Sequence, residues 1–485
     1  MSEGTVVLGS GPTVEGDEAP EAALTKVVTA AGALVLRRAA MMMVGALSTG
    51  VVTRTLGPAE YGRFGSVQAV WALAQTLAEF GFVLVLTREF GRREDDRGAL
   101  LRAAYGIQGR WALGVGVLFL FVGALLIRDG DFPAYLVLFP SIVGVAWSGA
   151  RALLMATYQV RRLAMIDVLT TTGQSVALAA VALGGGGPVG MCAVLSVSSL
   201  ANSMILARSA RTVSRCTGCS AAERRALCRA ALPVGVSTVL SKVYVNIDIV
   251  LLSSLAVGAV VGDYVGVSKL LALAATVPGI ACAAALPLLA RSADDPVRRE
   301  VLARDVSRLL SAVALPVYGA MLFFPSTFLS IALGRGFDEA APMLVPMALA
   351  GVVGVYGNIA GTLLVALAYT RVMMIQNVLA VVLNITLNLL LIPPVGGVAC
   401  AWVTLLTELV VCSASLATLA RKFRLTLPYS GIAGIASLLV SCAFGVRVCW
   451  GDSPVGMAVF VLCCGVALLV AAIRMKAAVA AGKRW

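Results

Sequence analysis

VMMIQNVLAVVLNITLNLLLI, residues 372–392, is a run without a single charged side chain. At about 1.5 Å of helical rise per residue, such a run is long enough to cross the ~30 Å hydrocarbon layer of a bilayer. It starts after Arg371 and stops at the turn sequence Pro393-Pro394-Val395-Gly396-Gly397. Similar runs recur along the chain. Fourteen are long enough to span, at about 32–54, 62–87, 103–127, 132–157, 163–183, 188–207, 230–255, 263–290, 307–333, 341–368, 372–392, 397–420, 429–449 and 454–473. They are rich in Ala, Leu and Val and lack the ten-residue alternation of a barrel strand, so each reads as a helix. The fold class expected is all-α and polytopic, with about fourteen transmembrane helices.

Composition agrees with this reading. Of 485 residues, 59% are apolar and 13% charged, against about 25% charged in a soluble globular chain. Mean hydropathy is +0.93. The connections are short turn sequences, such as Gly184-Gly185-Gly186-Gly187-Pro188 and Asp452-Ser453-Pro454. They leave no room for an extramembrane catalytic domain. Histidine, the commonest general base and neutral metal ligand, is absent (0 residues). The expectation is a protein that is not an enzyme and uses no cofactor.

The net charge of +13 would suggest nucleic acid in a soluble protein. Here the positive charges lie between apolar runs, where they set topology and touch anionic head groups. The expected partners are therefore membrane lipids and no nucleic acid. With the N-terminal side taken as inside, five of the 38 Lys and Arg fall outside, at Arg54, Arg63, Arg128, Arg335 and Arg447. Arg151, Lys242 and Lys269 fall within spans, and the remaining thirty lie inside. This bias places both termini on the cytoplasmic side of a plasma-type membrane.

An internal repeat appears at an offset of 200, where Gly57–Thr76 aligns with Val257–Thr276. Identical pairs include Ala59/Ala259, Gly62/Gly262, Val67/Val267 and Thr76/Thr276, and Phe64 matches Tyr264. The match falls where span one turns into span two and where span seven turns into span eight. The organisation expected is residues 1–22 as a disordered tail, 23–210 as a lobe of spans 1–6 and 211–228 as a cytoplasmic linker. Residues 229–422 then form a lobe of spans 7–12, and 423–485 hold spans 13–14 and a basic tail. Two like-oriented halves with a site between them are a transporter's plan.

Three motifs sharpen this. The first is Arg54-Thr55-Leu56-Gly57-Pro58-Ala59-Glu60-Tyr61-Gly62, and the second is Asn246-Ile247-Asp248 with Val261-Gly262-Asp263-Tyr264 and Lys269. The third is Leu383-Asn384-Ile385-Thr386-Leu387-Asn388-Leu389-Leu390-Leu391-Ile392-Pro393, followed by Gly396-Gly397-Val398-Ala399-Cys400-Ala401 and Glu408. Over about residues 24–475 the chain resembles the Wzx-type polysaccharide flippases of the multidrug/oligosaccharidyl-lipid/polysaccharide exporter superfamily. Cys400 departs from the small Gly or Ala common there. The resemblance implies two six-helix lobes around a central cavity, and movement of a polyprenyl-diphosphate-linked glycan from inside to outside. A glycan polymerase or glycosyltransferases are the protein partners expected with it. A flippase for a lipid II-type precursor and a multidrug antiporter of the same superfamily are the alternatives.

Ions inside hydrocarbon cost ~2.5–3.5 kcal/mol each at a helix centre and are usually kept for a purpose. Lys242, Lys269 and Arg151 suit a diphosphate, with Arg63 near the outer surface and Arg37 and Arg38 at the inner mouth. Each has a bland counterpart reading. Lys242 pairs with Asp167, Asp248 or Glu408, or snorkels to a head group; Arg63 is interfacial, and Arg37 and Arg38 anchor topology. Lys242 and Asp248, six residues apart, lie on different faces of their helix. Asp248, Asp167, Glu79 and Glu408 are candidates for ion coupling. Cys216-Thr217-Gly218-Cys219 with Cys228 falls short of the four ligands of structural zinc, so no metal site is expected.

Overall fold

The computed structural model describes the backbone of residues 20–92, 97–126, 131–211, 221–256, 258–292, 295–423 and 429–466. The regular structure among these residues is helical. The chain opens with α1 (Pro20–Glu79), α2 (Phe82–Arg92), α3 (Arg97–Leu126), α4 (Phe132–Val143), α5 (Gly149–Ala156), α6 (Val160–Leu183) and α7 (Pro188–Arg211). It continues with α8 (Ala221–Leu255), α9 (Ala259–Arg291), α10 (Pro296–Phe323), α11 (Pro325–Ala332), α12 (Ala341–Ala366), α13 (Thr370–Val395), α14 (Gly397–Phe423), α15 (Tyr429–Trp450) and the short apolar α16 (Pro454–Val466).

Eleven segments among the described residues are long and apolar enough to cross a membrane. One of them, Met41–Arg92, holds 52 residues. Drawn straight it would measure about 78 Å, more than twice the hydrocarbon thickness. The chain instead breaks at Gly57 (φ 68°, ψ 174°), a backbone conformation open to glycine. Pro58 follows and has no N–H to continue the helical ladder. This segment therefore makes two crossings. With the ten other long segments the described residues make twelve, and two shorter apolar helices, Leu439–Trp450 and Pro454–Val466, fall on the last two of the fourteen runs. The protein is an all-α, multi-pass membrane protein.

Several crossings are not continuous rods. Positive φ at Phe80 (45°) and Gly81 (69°) separates α1 from α2 inside the second crossing. A 3₁₀ turn at Gly144–Trp147 divides α4 from α5. Phe324 divides α10 from α11, and α10 starts at Pro296, earlier than the apolar run beginning near 307. Polar residues such as Arg298 and Arg304 continue this helix beyond its apolar part, so hydropathy alone shortens it.

Helices α2 to α7 pack mainly on one another, as do α8 to α15. The last hairpin is fixed to the second group through α10 and α11. Asp452 accepts the N–H groups of Ser326 and Thr327 at 3.1 and 3.2 Å, capping the start of α11. Phe460 packs on Phe324 with ring centroids 5.8 Å apart.

The halves also share connectors. After α5, Tyr158 takes φ 55°, and after α12, Ala368 takes φ 60°. The N–H groups of Thr157, Tyr158 and Gln159 bond to Leu153, Met155 and Leu154. Those of Leu367, Ala368 and Tyr369 bond to Leu363, Val365 and Leu364 in the same pattern. These turns lie 210 residues apart; Leu153/Leu363, Leu154/Leu364 and Ala156/Ala366 are identical, while the three donors differ at each position.

Candidate functional site

Two contacts bring the halves together at opposite ends of the helices. At the Gly57 end, a Cβ on Gly62 would lie 2.6 Å from the Gly262 nitrogen, and one on Gly262 would lie 1.8 Å from the Pro58 carbonyl oxygen. Only glycine permits backbones to approach this closely. Thr53 donates to the Leu333 carbonyl at 2.7 Å, Arg54 donates to that of Ile331, and Tyr61 meets Phe337 edge-on at 6.2 Å. At the other end, Gly235 of α8 faces the Phe80 ring, where a Cβ would lie 2.4 Å away, and Gly81 faces Val234. Trp111 braces this corner by donating to the Leu77 carbonyl at 2.7 Å and packing on Phe80.

Lys242 and Lys269 lie between these contacts. Lys242 is seven residues along α8 from Gly235, and Lys269 seven along α9 from Gly262. Each is therefore about 10 Å of helix rise from a closed end. The two ammonium groups are near enough to repel each other. Neither has a hydrogen bond or a carboxylate partner among the described residues.

The carboxylates Asp167, Glu79, Asp248 and Glu408 are engaged elsewhere. Arg151 grips Asp167 with two parallel bonds of 2.7 and 2.9 Å, and Asn202 links the same carboxylate to Thr170. Glu79 lies within the electrostatic reach of Arg151. Asp248 accepts from Tyr264 at 2.7 Å and from Thr404 at 3.2 Å. Glu408 accepts from Tyr244 at 2.8 Å. Arg63 bonds Asp131 at 2.9 Å and Glu60 at 3.0 Å.

The sequence-derived candidates thus separate into groups. Lys242 and Lys269 come together. Arg151, Asp167 and Glu79 form a cluster in the N-terminal half, and Arg63 sits in an ion cluster at the Gly57 end. Asp248 and Glu408 fall on the far side of α8 from Lys242. Tyr244 follows Lys242 by two residues, a rotation of about 200°, and Asp248 follows Tyr244 by one turn. The side chains of Arg37 and Arg38, together with Cys216 and Cys219, lie outside the described residues. Cys228 is exposed and free.

Hydrogen-bond partners were the part missed in the sequence. Tyr244 and Asp248 on α8 face Glu408 and Thr404 on α14, giving two rungs with a hydroxyl and a carboxylate in each. The matching four-residue spacings were visible, but not the pairing of these two helices. Behind the rungs lies a cavity of about 500 Å³ bounded by α8, α9, α10, α12, α13 and α14.

The Arg151–Asp167 pair gives a direct expectation. Arg151→Gln leaves Asp167 without its cation and should lower the level of inserted protein. The loss should sit near the lower end of the ~3–5 kcal/mol known for broken buried pairs, because the side chains keep 31% and 23% exposure. Adding Asp167→Asn should restore the level, measured by thermal unfolding of the purified protein. No recovery would instead point to a direct role for Arg151 in transport.

The profile of the polysaccharide biosynthesis protein family matches residues 28–293. Among solved structures, the chain is similar to the lipid II flippase MurJ in an inward closed conformation, with a TM-score of 0.73 and 11% identity over 92% of this chain and 99% of that one. It is also similar to a multidrug resistance MATE family transporter of the MOP superfamily in an inward-facing conformation, with a TM-score of 0.63 and 14% identity over 82% and 96%. A third similarity is to a MOP superfamily transporter from Pyrococcus furiosus with a binding pocket of reversed polarity, with a TM-score of 0.52 and 16% identity over 80% and 95%. No curated protein matches by sequence. With more than half of its length matched, the chain belongs to the polysaccharide biosynthesis protein family.

Proposed function

We propose that this protein is a flippase carrying a polyprenyl-diphosphate-linked oligosaccharide from the cytoplasmic to the outer face of the cytoplasmic membrane by alternating access. Lys242 and Lys269 hold the diphosphate. The observation that supports this reading is the lysine pair itself: two neighbouring cations at mid-depth, without carboxylate partners among the described residues. Placing them there costs several kcal/mol, and a diphosphate supplies the missing counter-charge. Residues 23–210 and 229–422 act as the two moving lobes, with both termini cytoplasmic and the Gly57 end outward. Arg151 and Arg63 hold their own lobe together, while Arg37 and Arg38 gather anionic substrate at the inner mouth.

A flippase for a lipid II-type precursor fits the same lysines, since lipid II also carries a diphosphate. An antiporter for cationic drugs does not, because two like charges would repel its substrate. The deciding assay reconstitutes the full chain in liposomes and follows three cargoes, the two glycolipids by lectin access and a fluorescent lipophilic cation by its uptake. Diphosphate-linked oligosaccharide should cross, with lipid II slower and a lipophilic cation unmoved. Preferential crossing of lipid II would shift the assignment to peptidoglycan precursor, and crossing of the cation alone would sink the flippase reading.

A further inference from the structure

Helix α11 (Pro325–Ala332) is held at both ends by parts of the chain far apart in sequence. At its start, Asp452, in the turn between α15 and α16, uses both carboxylate oxygens. One accepts the Ser326 N–H at 3.1 Å and the other that of Thr327 at 3.2 Å. At its finish, Arg54 of α1 donates to the Ile331 carbonyl, and Thr53 donates to that of Leu333 at 2.7 Å. An anion at the start of a helix and a cation at its finish both match the helix dipole. They also take up backbone groups that a helix leaves unpaired at its ends.

The seat of Arg54 is shaped for it. A Cβ on Gly334 would overlap the Arg54 Cγ, and one on Gly50 would lie 2.8 Å from its Nη1. Glycine at both positions leaves the slot through which the guanidinium reaches α11. Between the two ends, Phe328 packs on the main core and also on the cluster in which Ala320 and Phe324 meet Val446 and Phe460 of the last hairpin.

An isolated helix shorter than about 12 residues is marginal in water, and α11 has 8. Its end contacts therefore support one another. The Ile331 and Leu333 carbonyls stand in place for Arg54 and Thr53 only while α11 is wound, and Asp452 favours winding. Thr53 and Arg54 belong to the half that must leave α11 when the Gly57 end opens. We propose that Asp452 is a positioning residue of the transport cycle: by capping α11, it makes the last hairpin part of the latch that keeps the Gly57 end closed. The latch rests on the alternating-access reading above, yet both of its ends can be followed without cargo. Losing the cap weakens the grip of Arg54 and Thr53. Losing that grip loosens the cap in turn, because coupling between two sites is reciprocal.

The test follows both directions in the full-length protein in nanodiscs, with no cargo present. The first readout is the rate at which Phe337→Cys, in a background without the native cysteines, reacts with an impermeant maleimide. Asp452→Ala should raise this rate by about two- to thirtyfold, the range a lost helix cap allows. Asp452→Asn keeps an acceptor and should raise it less. The second readout is amide hydrogen exchange of the Ser326 and Thr327 N–H groups. Arg54→Gln touches only the far end of α11 and should speed this exchange by a similar factor. An Asp452→Ala protein whose two amides exchange faster while Phe337→Cys keeps its labelling rate would show a cap of local structural value only, and would overturn the proposal. Arg54→Gln with unchanged exchange at Ser326 and Thr327 would overturn it as well, and this arm decides if Asp452→Ala does not fold. Cargo crossing in liposomes is scored separately. A working latch in a protein that moves no glycolipid would count against the transport reading alone, and glycolipid crossing without the latch responses would count against the latch alone.

Discussion

Replacing Lys242 and Lys269 together by Gln should abolish glycan export while leaving membrane-inserted protein near its normal level. Each lysine has no carboxylate partner to strand, so its removal leaves no buried charge unpaired and relieves a like-charge contact. The substrate, in contrast, loses its counter-charge. A hydrogen bond to a charged group is worth ~1.5–3 kcal/mol, so each single Gln variant should weaken diphosphate binding roughly ten- to hundredfold. Arg at either position should keep part of the activity, since charge survives while geometry changes. Lys242→Gln combined with Asp248→Asn should not recover transport, because Asp248 is held by Tyr264 and Thr404. Recovery of both export and protein level in that double variant would show that Lys242 serves only to balance Asp248.

Gly262→Val should prevent the Gly57 end from closing. The added Cβ would meet the Pro58 carbonyl oxygen at 1.8 Å and its carbon at 2.6 Å, and a backbone cannot swing aside as a flexible side chain can. Overpacking of this kind costs ~1–3 kcal/mol. Because the strain exists only in the closed contact, it biases the protein toward the state with that end open, by about five- to hundredfold. A cysteine replacing buried Phe337, in a background without the native cysteines, should become reactive to an impermeant maleimide added from outside, and export should stop. Gly235→Val should act at the opposite end, pushing against the Phe80 ring, without raising that reactivity. Unchanged labelling in Gly262→Val would mean that this contact is not a gate.

Much of the fold was legible because one physical signal dominates it. Uncharged runs such as 372–392 must be helical in lipid, and the Gly57-Pro58 pair marks a turn between two of them. Rotation along a single helix was also legible, and it separated Lys242 from Asp248 before any coordinates. Relations between helices were not. Arg151 and Asp167 are sixteen residues apart on different helices, and nothing in their spacing says that α5 and α6 bring them face to face. Tyr244 and Thr404 passed as ordinary span residues because a hydroxyl hardly disturbs hydropathy, and Tyr264 entered only as part of a motif, yet the three hold the two carboxylates of α8 and α14. The break at Phe80 was hidden for another reason: Phe80 is a non-glycine residue with φ 45°, a conformation its side chain does not favour and its surroundings impose.

The close approach at the Gly57 end is reciprocal. Gly262 meets Pro58, and Gly62 meets Gly258, the position 200 residues beyond Pro58; Gly62 meets Gly262, and Gly65 meets Val265. Such exchange of partners defines an isologous interface, the kind two identical subunits make. Equivalent residues touch each other only where a two-fold axis passes between them. The chain thus behaves at this point as a homodimer joined into one polypeptide, with its pseudo-dyad running between Gly62 and Gly262. Rotations of the halves that respect this dyad must separate the two glycines symmetrically, and a bulky residue on either one obstructs both halves alike.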